Sequence, residues 1–379
     1  MGSQKLHSPL LLLACVLCGC LAAQGCLEKE RTALLQLRDS FYHPRPANLS
    51  EWPTWVGEDC CQWAGASCQD EAPRRVVFVS IAFARKPELG GMVVNGSLFA
   101  ALEELQELRL SNNQISRWIE PKGMLGLKKL TSVNLEENLL TEESVSWLFN
   151  LPSLTAVYLS SNRLKSSSTL KAFCGLKDLS SLHLSFNTME GTIDPCVSNM
   201  RSLQVLFLQG NRLTGEIPSL SKLSSLRTLN LGQNRLSGVF YFSSLANLAN
   251  LTGVSLVDND KLEVETEHPA WAPSFQLEGG LLLSGCSLNR RSGRRIPSFL
   301  STQKNMFLLA LSRTSIQGTI PAWMLDNVAN TLVLDGNSLS GPFPQLEGNR
   351  TRGLSLLDLS KNKIHGPMPQ NMKSMLPEL

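Results

Sequence analysis

A pattern of leucines that returns about every 24 positions constrains this chain more than any other feature of it. It reads Leu105-x-x-Leu108-x-Leu110-x-x-Asn113-x-Ile115, and recurs as Leu130-x-x-Val133-x-Leu135-x-x-Asn138-x-Leu140 and Leu154-x-x-Val157-x-Leu159-x-x-Asn162-x-Leu164. Further copies centre on Asn187, Asn211, Asn234, Asn259, Asn337 and Asn362, with Cys286 and Thr314 in the asparagine slot of two weaker ones. A fixed period of this length means coils stacked side by side, each burying its apolar side only against its neighbours. Such a stack offers an extended surface more readily than an enclosed pocket.

The consensus is that of the leucine-rich repeat. The expected fold is therefore an α/β solenoid, a curved right-handed superhelix with a concave parallel β-sheet and an N-terminal disulfide cap. Within each repeat the x-Leu-x-Leu-x segment is a short strand, its leucines in the core and the alternate residues facing outward. The asparagine that follows turns the chain, its amide bonding backbone groups that would otherwise be buried unpaired. Replacing one such Asn with Ala should cost on the order of 1–3 kcal/mol, and a core Leu→Ala about 2–5 kcal/mol. Several repeats continue with Gly-x-Ile-Pro or a variant: Gly215-Glu-Ile217-Pro218, Gly318-Thr-Ile320-Pro321, Gly341-Pro-Phe343-Pro344 and Gly366-Pro-Met368-Pro369. Glycine permits the turn, the apolar residue re-enters the core, and proline fixes an extended direction afterwards. The convex side should thus carry extended segments or short helical turns, with little long helix beyond the cap.

Three domains are expected: a signal peptide over residues 1–25, a cap over 26–75, and about eleven repeats over 76–379, the last open-ended. Lys5, the apolar run from Leu10 to Ala23, and Ala23-Gln24-Gly25 before Cys26 have the layout of a secretory leader. In the cap, Leu27, Leu34, Leu37 and Phe41 lie at helical spacing over residues 28–40. Trp52, Trp55 and the block Cys60-Cys61-Gln62-Trp63-x-Gly65-x-x-Cys68 follow. The first coil has no neighbour on one side, so tryptophans pinned by disulfides would cover its apolar face. The first strand is placed at residues 76–81.

Secretion makes the cysteines readable as disulfides. Of ten, Cys15, Cys18 and Cys20 leave with the leader. The expected bridges are Cys26–Cys60, Cys61–Cys68 and Cys174–Cys196, the last pair one repeat apart; sequence alone leaves other pairings in the cap open. Cys286, in a buried asparagine slot, is the candidate for the unpaired thiol. The sequons at Asn48, Asn95, Asn250 and Asn349 are candidate glycosylation sites. No apolar stretch after residue 25 is long and charge-free enough to cross a membrane, and the net charge of +3 gives no reason to expect a nucleic-acid partner.

Two regions break the rhythm. Residues 262–280 are acidic and contain Pro and Trp, and the gaps flanking Cys286 are long. Arg290, Arg291, Arg294 and Arg295 form a basic cluster there, read as a solvated loop or a contact for an acidic partner. The last residues, Ser374 to Leu379, read as the opening of another repeat, and the expectation is a fragment or a shortened product of a longer chain.

The cap block and the Gly-x-Ile-Pro repeats together resemble the plant-type extracellular leucine-rich repeat family. Asn95-Gly96-Ser97-Leu98-Phe99 leading to Leu105, Phe173-Cys174-Gly175-Leu176 with Pro195-Cys196, and Leu283-Ser-Gly-Cys286-Ser-Leu288 followed by Ile296-Pro297 resemble blocks of plant receptor-like proteins. The resemblance implies a cell-surface receptor without a kinase of its own, which holds a peptide, protein or glycan ligand and signals through a partner receptor kinase in defence or development. It implies an extracellular ectodomain at the plasma membrane for the full-length protein, and secretion for a truly truncated one. The alternatives are a secreted inhibitor of a microbial cell-wall-degrading enzyme, similar to polygalacturonase inhibitors, and a truncated decoy.

The ligand-facing column is the outward residue between the two strand leucines: Arg109, Asn134, Tyr158, His183, Phe207 and Asn230, continuing with Ser255, Leu282, Ala310, Val333 and Asp358. Tyr158, His183 and Phe207 fall on consecutive coils and should stack into one aromatic patch, as either a binding hot spot or mutual packing. Catalysis finds no support in the pattern. The five histidines are scattered, no serine or cysteine sits in a nucleophile motif, and no His/Cys spacing suits zinc. Neither a cofactor nor a metal is expected.

Overall fold

The computed structural model describes residues 25–42, 55–268, 270–344 and 354–367. Apart from Gly25, the expected leader lies outside them, as do Asn48, Trp52, Asn349 and residues 374–379. The chain divides into two compact units, up to Leu154 and from Thr155.

The first unit opens with helix α1 (Glu28–Phe41), which buries Leu34, Leu37 and Phe41. Its Glu30 is also fully buried, which the charged helix pattern did not reveal. The carboxylate accepts from the Arg75 guanidinium at 2.8 Å and from the Leu27 amide at 3.2 Å, so the buried charge is paired. Behind the helix, Trp55 and Trp63 stack at 5.4 Å, each indole donating to a backbone carbonyl, Ala64 and Val56 respectively. The bridges Cys26–Cys60 and Cys61–Cys68 fasten this layer.

Six strands follow in this unit: β1 (Ala66–Cys68), β2 (Val76–Ser80), β3 (Met92–Asn95), β4 (Glu107–Arg109), β5 (Ile115–Ile119) and β6 (Ser132–Asn134). Here the sequence expectation needs correction, because the sheet starts inside the cap: β1 pairs antiparallel with β2 ahead of the parallel series β2-β4-β6. The reason is local. Gly65 runs so close to Ser80 that an added Cβ would meet the Ser80 carbonyl oxygen at 2.5 Å, and the Ser80 amide donates to the Gly65 carbonyl at 2.7 Å. β3 and β5 pair in parallel as a small second sheet.

In the second unit the strands are β7 (Ala156–Tyr158), β8 (Ser181–His183), β9 (Glu190–Thr192), β10 (Val205–Phe207), β11 (Arg212–Gly215) and β12 (Thr228–Asn230). Next come β13 (Arg235–Tyr241), β14 (Gly253–Ser255), β15 (Lys261–Glu265), β16 (Gly280–Leu282), β17 (Ser287–Leu288) and β18 (Met306–Ala310). The last are β19 (Gln317–Gly318), β20 (Val328–Val333), β21 (Ser338–Pro342), β22 (Leu356–Asp358) and β23 (Lys363–His365). The main sheet, β7-β8-β10-β12-β14-β16-β18-β20-β22, takes one strand from each coil in parallel. Farther round the coils, the segments after the asparagine turns, several of which lead into Gly-x-Ile-Pro, form shorter parallel sheets, β17-β15-β13-β11-β9 and β19-β21-β23. Helix is confined to single turns such as Ser168–Phe173 and Ala322–Asn327. Cys174 and Cys196 are bonded across adjacent coils, their Cα atoms 6.0 Å apart.

The asparagines tie the coils together. The Asn234 amide donates to the carbonyl of Leu208 in the preceding coil at 2.9 Å and to that of Leu231 in its own at 3.0 Å, while its Oδ1 accepts the Leu213 amide at 3.0 Å. Asn187, Asn211, Asn259 and Asn337 repeat the arrangement. Cys286 points its thiol at the Leu256 carbonyl, 3.0 Å away, and Thr314 donates to the Leu311 carbonyl.

The segment 262–280, which breaks the repeat rhythm, is anchored to the stack by its apolar and aromatic side chains. Leu262 and Val264 are buried in β15, and Trp271 packs against Phe242, Phe275 and Phe299 at 5.0–6.2 Å. The aromatic side chains close the interior where the coil is longest.

Two outcomes follow. Asn234→Ala should lower stability by about 1–3 kcal/mol in urea titrations, whereas Arg235→Ala, exposed beside it, should stay within about 0.5 kcal/mol. Burial pushes the Cys286 thiol up to about 12, so iodoacetamide at mildly alkaline pH should label it only after denaturation, as read by mass spectrometry.

Candidate functional site

Strand alternation alone dictates that one residue in two on the main sheet faces outward. In the second unit the ladder sets these residues in exact register: Tyr158 pairs with His183, His183 with Phe207, Phe207 with Asn230, Asn230 with Ser255, and Ser255 with Leu282. The column continues through Ala310, Val333 and Asp358. Neighbouring strands lie about 4.8 Å apart, close enough for rings on adjacent coils to touch. Tyr158 and His183 have centroids 4.5 Å apart and His183 and Phe207 4.6 Å, both tilted by 52°. All three are half-buried, and His183 Nε2 lies 3.1 Å from the Ser181 hydroxyl.

Beyond Phe207 the surface drops into an open depression of about 280 Å³. Phe207 and Leu282 stand at its ends, Asn230 and Ser255 along one side, and Gly253 and Gly280 in its floor. The glycines occupy the other outward position of β14 and β16 and pair with each other, Gly253 half-buried and Gly280 buried, so two adjacent coils put no side chain there. A Cβ on Gly253 would meet only ordinary contacts, the nearest at 3.7 Å to Thr228. Gly280 is different: its φ is +127° and a Cβ would lie 2.4 Å from the Leu308 carbonyl oxygen. No charged side chain lines the depression. The Asn230 amide is fixed by Gln209 Oε1 at 2.6 Å, and Gln209 in turn donates to Gln233 at 3.2 Å. Following a single outward residue per strand had missed Gly253, Gly280, Gln209 and Gln233; the paired glycines at outward positions were the available signal.

In the first unit, Arg109 and Asn134 pair across β4 and β6. The Arg109 guanidinium lies 5.4 Å from the Phe78 ring centroid and 2.5 Å from Glu107 Oε1, and Asn134 Oδ1 accepts the Glu136 amide at 3.0 Å. Both are thus engaged by residues of their own neighbourhood. Of the sequon asparagines within the described residues, Asn250 is exposed and donates to the Ser224 carbonyl, and Asn95 accepts the Ser97 amide. Among the described residues no group of three or more His, Cys, Asp or Glu could hold a metal ion, and no helix is long and apolar enough to cross a membrane.

Comparison with known proteins places the repeats and the cap in a family. Leucine-rich repeat models match residues 92–140, 128–189, 152–213 and 201–250, and the leucine-rich repeat N-terminal domain matches 27–69. The chain is a leucine-rich repeat protein. Its homologues are plant receptor-like proteins. Receptor-like protein 15 of Arabidopsis thaliana is 30% identical over an alignment covering 94% of this chain and 43% of the relative. Receptor-like protein 1 of the same plant is 36% identical over 41% of this chain and 14% of its own length. This leucine-rich repeat protein therefore spans less than half the length of these relatives. Among solved structures, the Arabidopsis receptor kinase HAESA in complex with the peptide hormone IDA and the co-receptor SERK1 is similar at 26% identity and a TM-score of 0.67. That match covers 92% of this chain and 60% of that one.

Burial holds the His183 imidazole below its ordinary value. The folded state thus favours the neutral ring, while the unfolded chain takes up its proton as pH falls through about 6.5. Stability is therefore lost as pH drops below that value toward the lower folded one. Melting curves from about pH 7.5 to about pH 5 should show this loss, and His183→Gln should flatten it.

Proposed function

We propose that this chain is the ligand-recognition ectodomain of a plant receptor-like protein, and that the full-length receptor sits at the plasma membrane and signals through a partner receptor kinase. The ligand, a peptide or a comparable extended molecule, lies along the outward column of the second unit's main sheet. Tyr158, His183 and Phe207 supply an aromatic wall, and a small uncharged group of the ligand enters the depression over Gly253 and Gly280. No catalytic step is assigned to the chain. The observation that carries this reading is the juxtaposition of a half-exposed aromatic column with a glycine-floored, charge-free depression in the same sheet. Aromatic side chains beside a desolvated hollow are where binding energy concentrates, and a rigid sheet offers them already ordered. Support comes also from the peptide-bound architecture of the similar receptor kinase.

The secreted-inhibitor reading has no observation of its own in its favour, since the homologues found are receptor-like proteins. The test is a displayed library of random peptides panned on the purified chain, followed by affinity measurement on two variants. Gly253→Leu fills the depression without backbone strain, and Tyr158→Ala with Phe207→Ala removes the wall. Enriched peptides should lose more than about tenfold in affinity for each. Equal affinity for folded variants and parent would place recognition elsewhere.

A further inference from the structure

The coil that contains β17 departs from its neighbours in one respect. Leu213 is followed by Thr-Gly-Glu before Ile217-Pro218, whereas Leu288 is followed by Asn-Arg-Arg-Ser-Gly-Arg-Arg before Ile296-Pro297. The insertion brings Arg290, Arg291, Arg294 and Arg295, all exposed. It is not slack. The fully buried Asn289 donates through its amide to the Arg295 carbonyl at 2.9 Å, and its own carbonyl accepts the Arg294 amide at 2.7 Å. Ser292 adds a bond to Glu265 Oε1 at 2.8 Å. Arg291 is paired with Glu263 at 3.1 Å, but among the described residues no ion pair takes up Arg290, Arg294 or Arg295.

Beside this loop runs an open groove of about 470 Å³, lined by Gly293, Arg295, Gln317, Ser338, Ser340 and Lys363. The lining includes two cations, no carboxylate and no apolar side chain. Gln317 pairs with Ser338 and Ser340 with Lys363 on successive strands, so these polar groups advance in steps of about 4.8 Å across the coils. A protein partner would be expected to place an apolar or aromatic anchor at the centre of its contact, and single-stranded nucleic acid would call for aromatic faces to stack on. Neither is offered here. Two hydroxyls and one amide between two exposed cations suit a polymer that carries hydroxyls and anionic groups together.

We propose that this groove and its arginine loop bind an acidic polysaccharide, a chain of sugars bearing carboxylates or sulfates. Arg290, Arg294, Arg295 and Lys363 hold the anionic groups, while Gln317, Ser338 and Ser340 meet the ring hydroxyls. The site lies on the short sheets, away from the outward column of the main sheet, and does not depend on the peptide reading. Because the cations are exposed, attraction should weaken with salt.

Calorimetric titration of the full chain with polygalacturonate fragments and with sulfated dextran fragments tests it, with neutral dextran and poly-glutamate alongside. At least one acidic polysaccharide should bind, and neutral dextran should not; which of the two binds more tightly identifies the anionic group. The variant Arg290→Ser/Arg294→Ser/Arg295→Ser/Lys363→Ser should lose at least about tenfold in affinity at an unchanged melting temperature. Removing equal charge elsewhere, with Lys128→Ser/Lys177→Ser/Arg201→Ser/Lys222→Ser, should leave binding nearly intact. Gln317→Ala/Ser340→Ala should weaken the sugar polymer but not poly-glutamate. The proposal is overturned if the parent chain binds neither polysaccharide at low salt. Equal loss in the control variant would overturn it too, as would poly-glutamate binding as tightly as the sugars.

Discussion

The carboxamide of Asn234, and of its counterparts in the other coils, is the interaction on which the rest of the structure depends. After each strand the chain must turn inward, and that turn is then covered by the adjoining coil, out of reach of water. Unpaired amides and carbonyls there would cost roughly 1–3 kcal/mol each. One asparagine answers several of them, donating to the Leu208 and Leu231 carbonyls and accepting the Leu213 amide. Two of those partners belong to the preceding coil, so the bond that closes the turn also fixes one coil's height and register against the next. The leucines supply most of the energy, about 1.5–3 kcal/mol per fully buried side chain, but burial is indifferent to small slips. The asparagine is not. The substituted slots show what the position requires: Cys286 and Thr314 each keep one contact to a carbonyl, and beside Cys286 the backbone carbonyl of Asn259 takes the Leu262 amide instead.

This explains why so much of the fold was legible in the sequence. A fixed-period ladder turns positions in the chain into positions in space, so that residues a repeat apart, such as Tyr158, His183 and Phe207, become neighbours by arithmetic. What could not be read had one of two causes. Some features depend on groups far apart in sequence and outside the period, such as the ion pair that buries Glu30 against Arg75. The strand β1, held by the approach of Gly65 to Ser80, is of the same kind. Others arise from the absence of a side chain. The depression beside Phe207 exists because Gly253 and Gly280 leave the sheet bare, and attention to residues with chemistry passes over a residue that has none. The segment 262–280 lies outside the period altogether, so that nothing in the repeat foretold how Trp271 and Phe275 seal the interior there.

The division of labour between the two faces of each strand has a further consequence for recognition. Inward positions are held to Leu, Val or Ile by packing, and the turn position to Asn by its hydrogen bonds, while outward positions contribute little to the stack. Their chemistry can vary without threatening the fold. In the second unit they nevertheless constrain each other. Tyr158, His183 and Phe207 touch ring to ring, and Asn230 is held by Gln209, which is held by Gln233. Side chains ordered before a ligand arrives lose less freedom on binding. An uncharged lining would leave affinity to buried apolar area and to hydrogen bonds with the ligand's backbone, so selectivity there would rest on shape. The width of the hollow is then decisive. It is set by strand spacing and by the missing side chains at Gly253 and Gly280, and the second of these cannot take a side chain without colliding with the Leu308 carbonyl. The fold itself therefore keeps that part of the floor open, whatever substitutions accumulate around it.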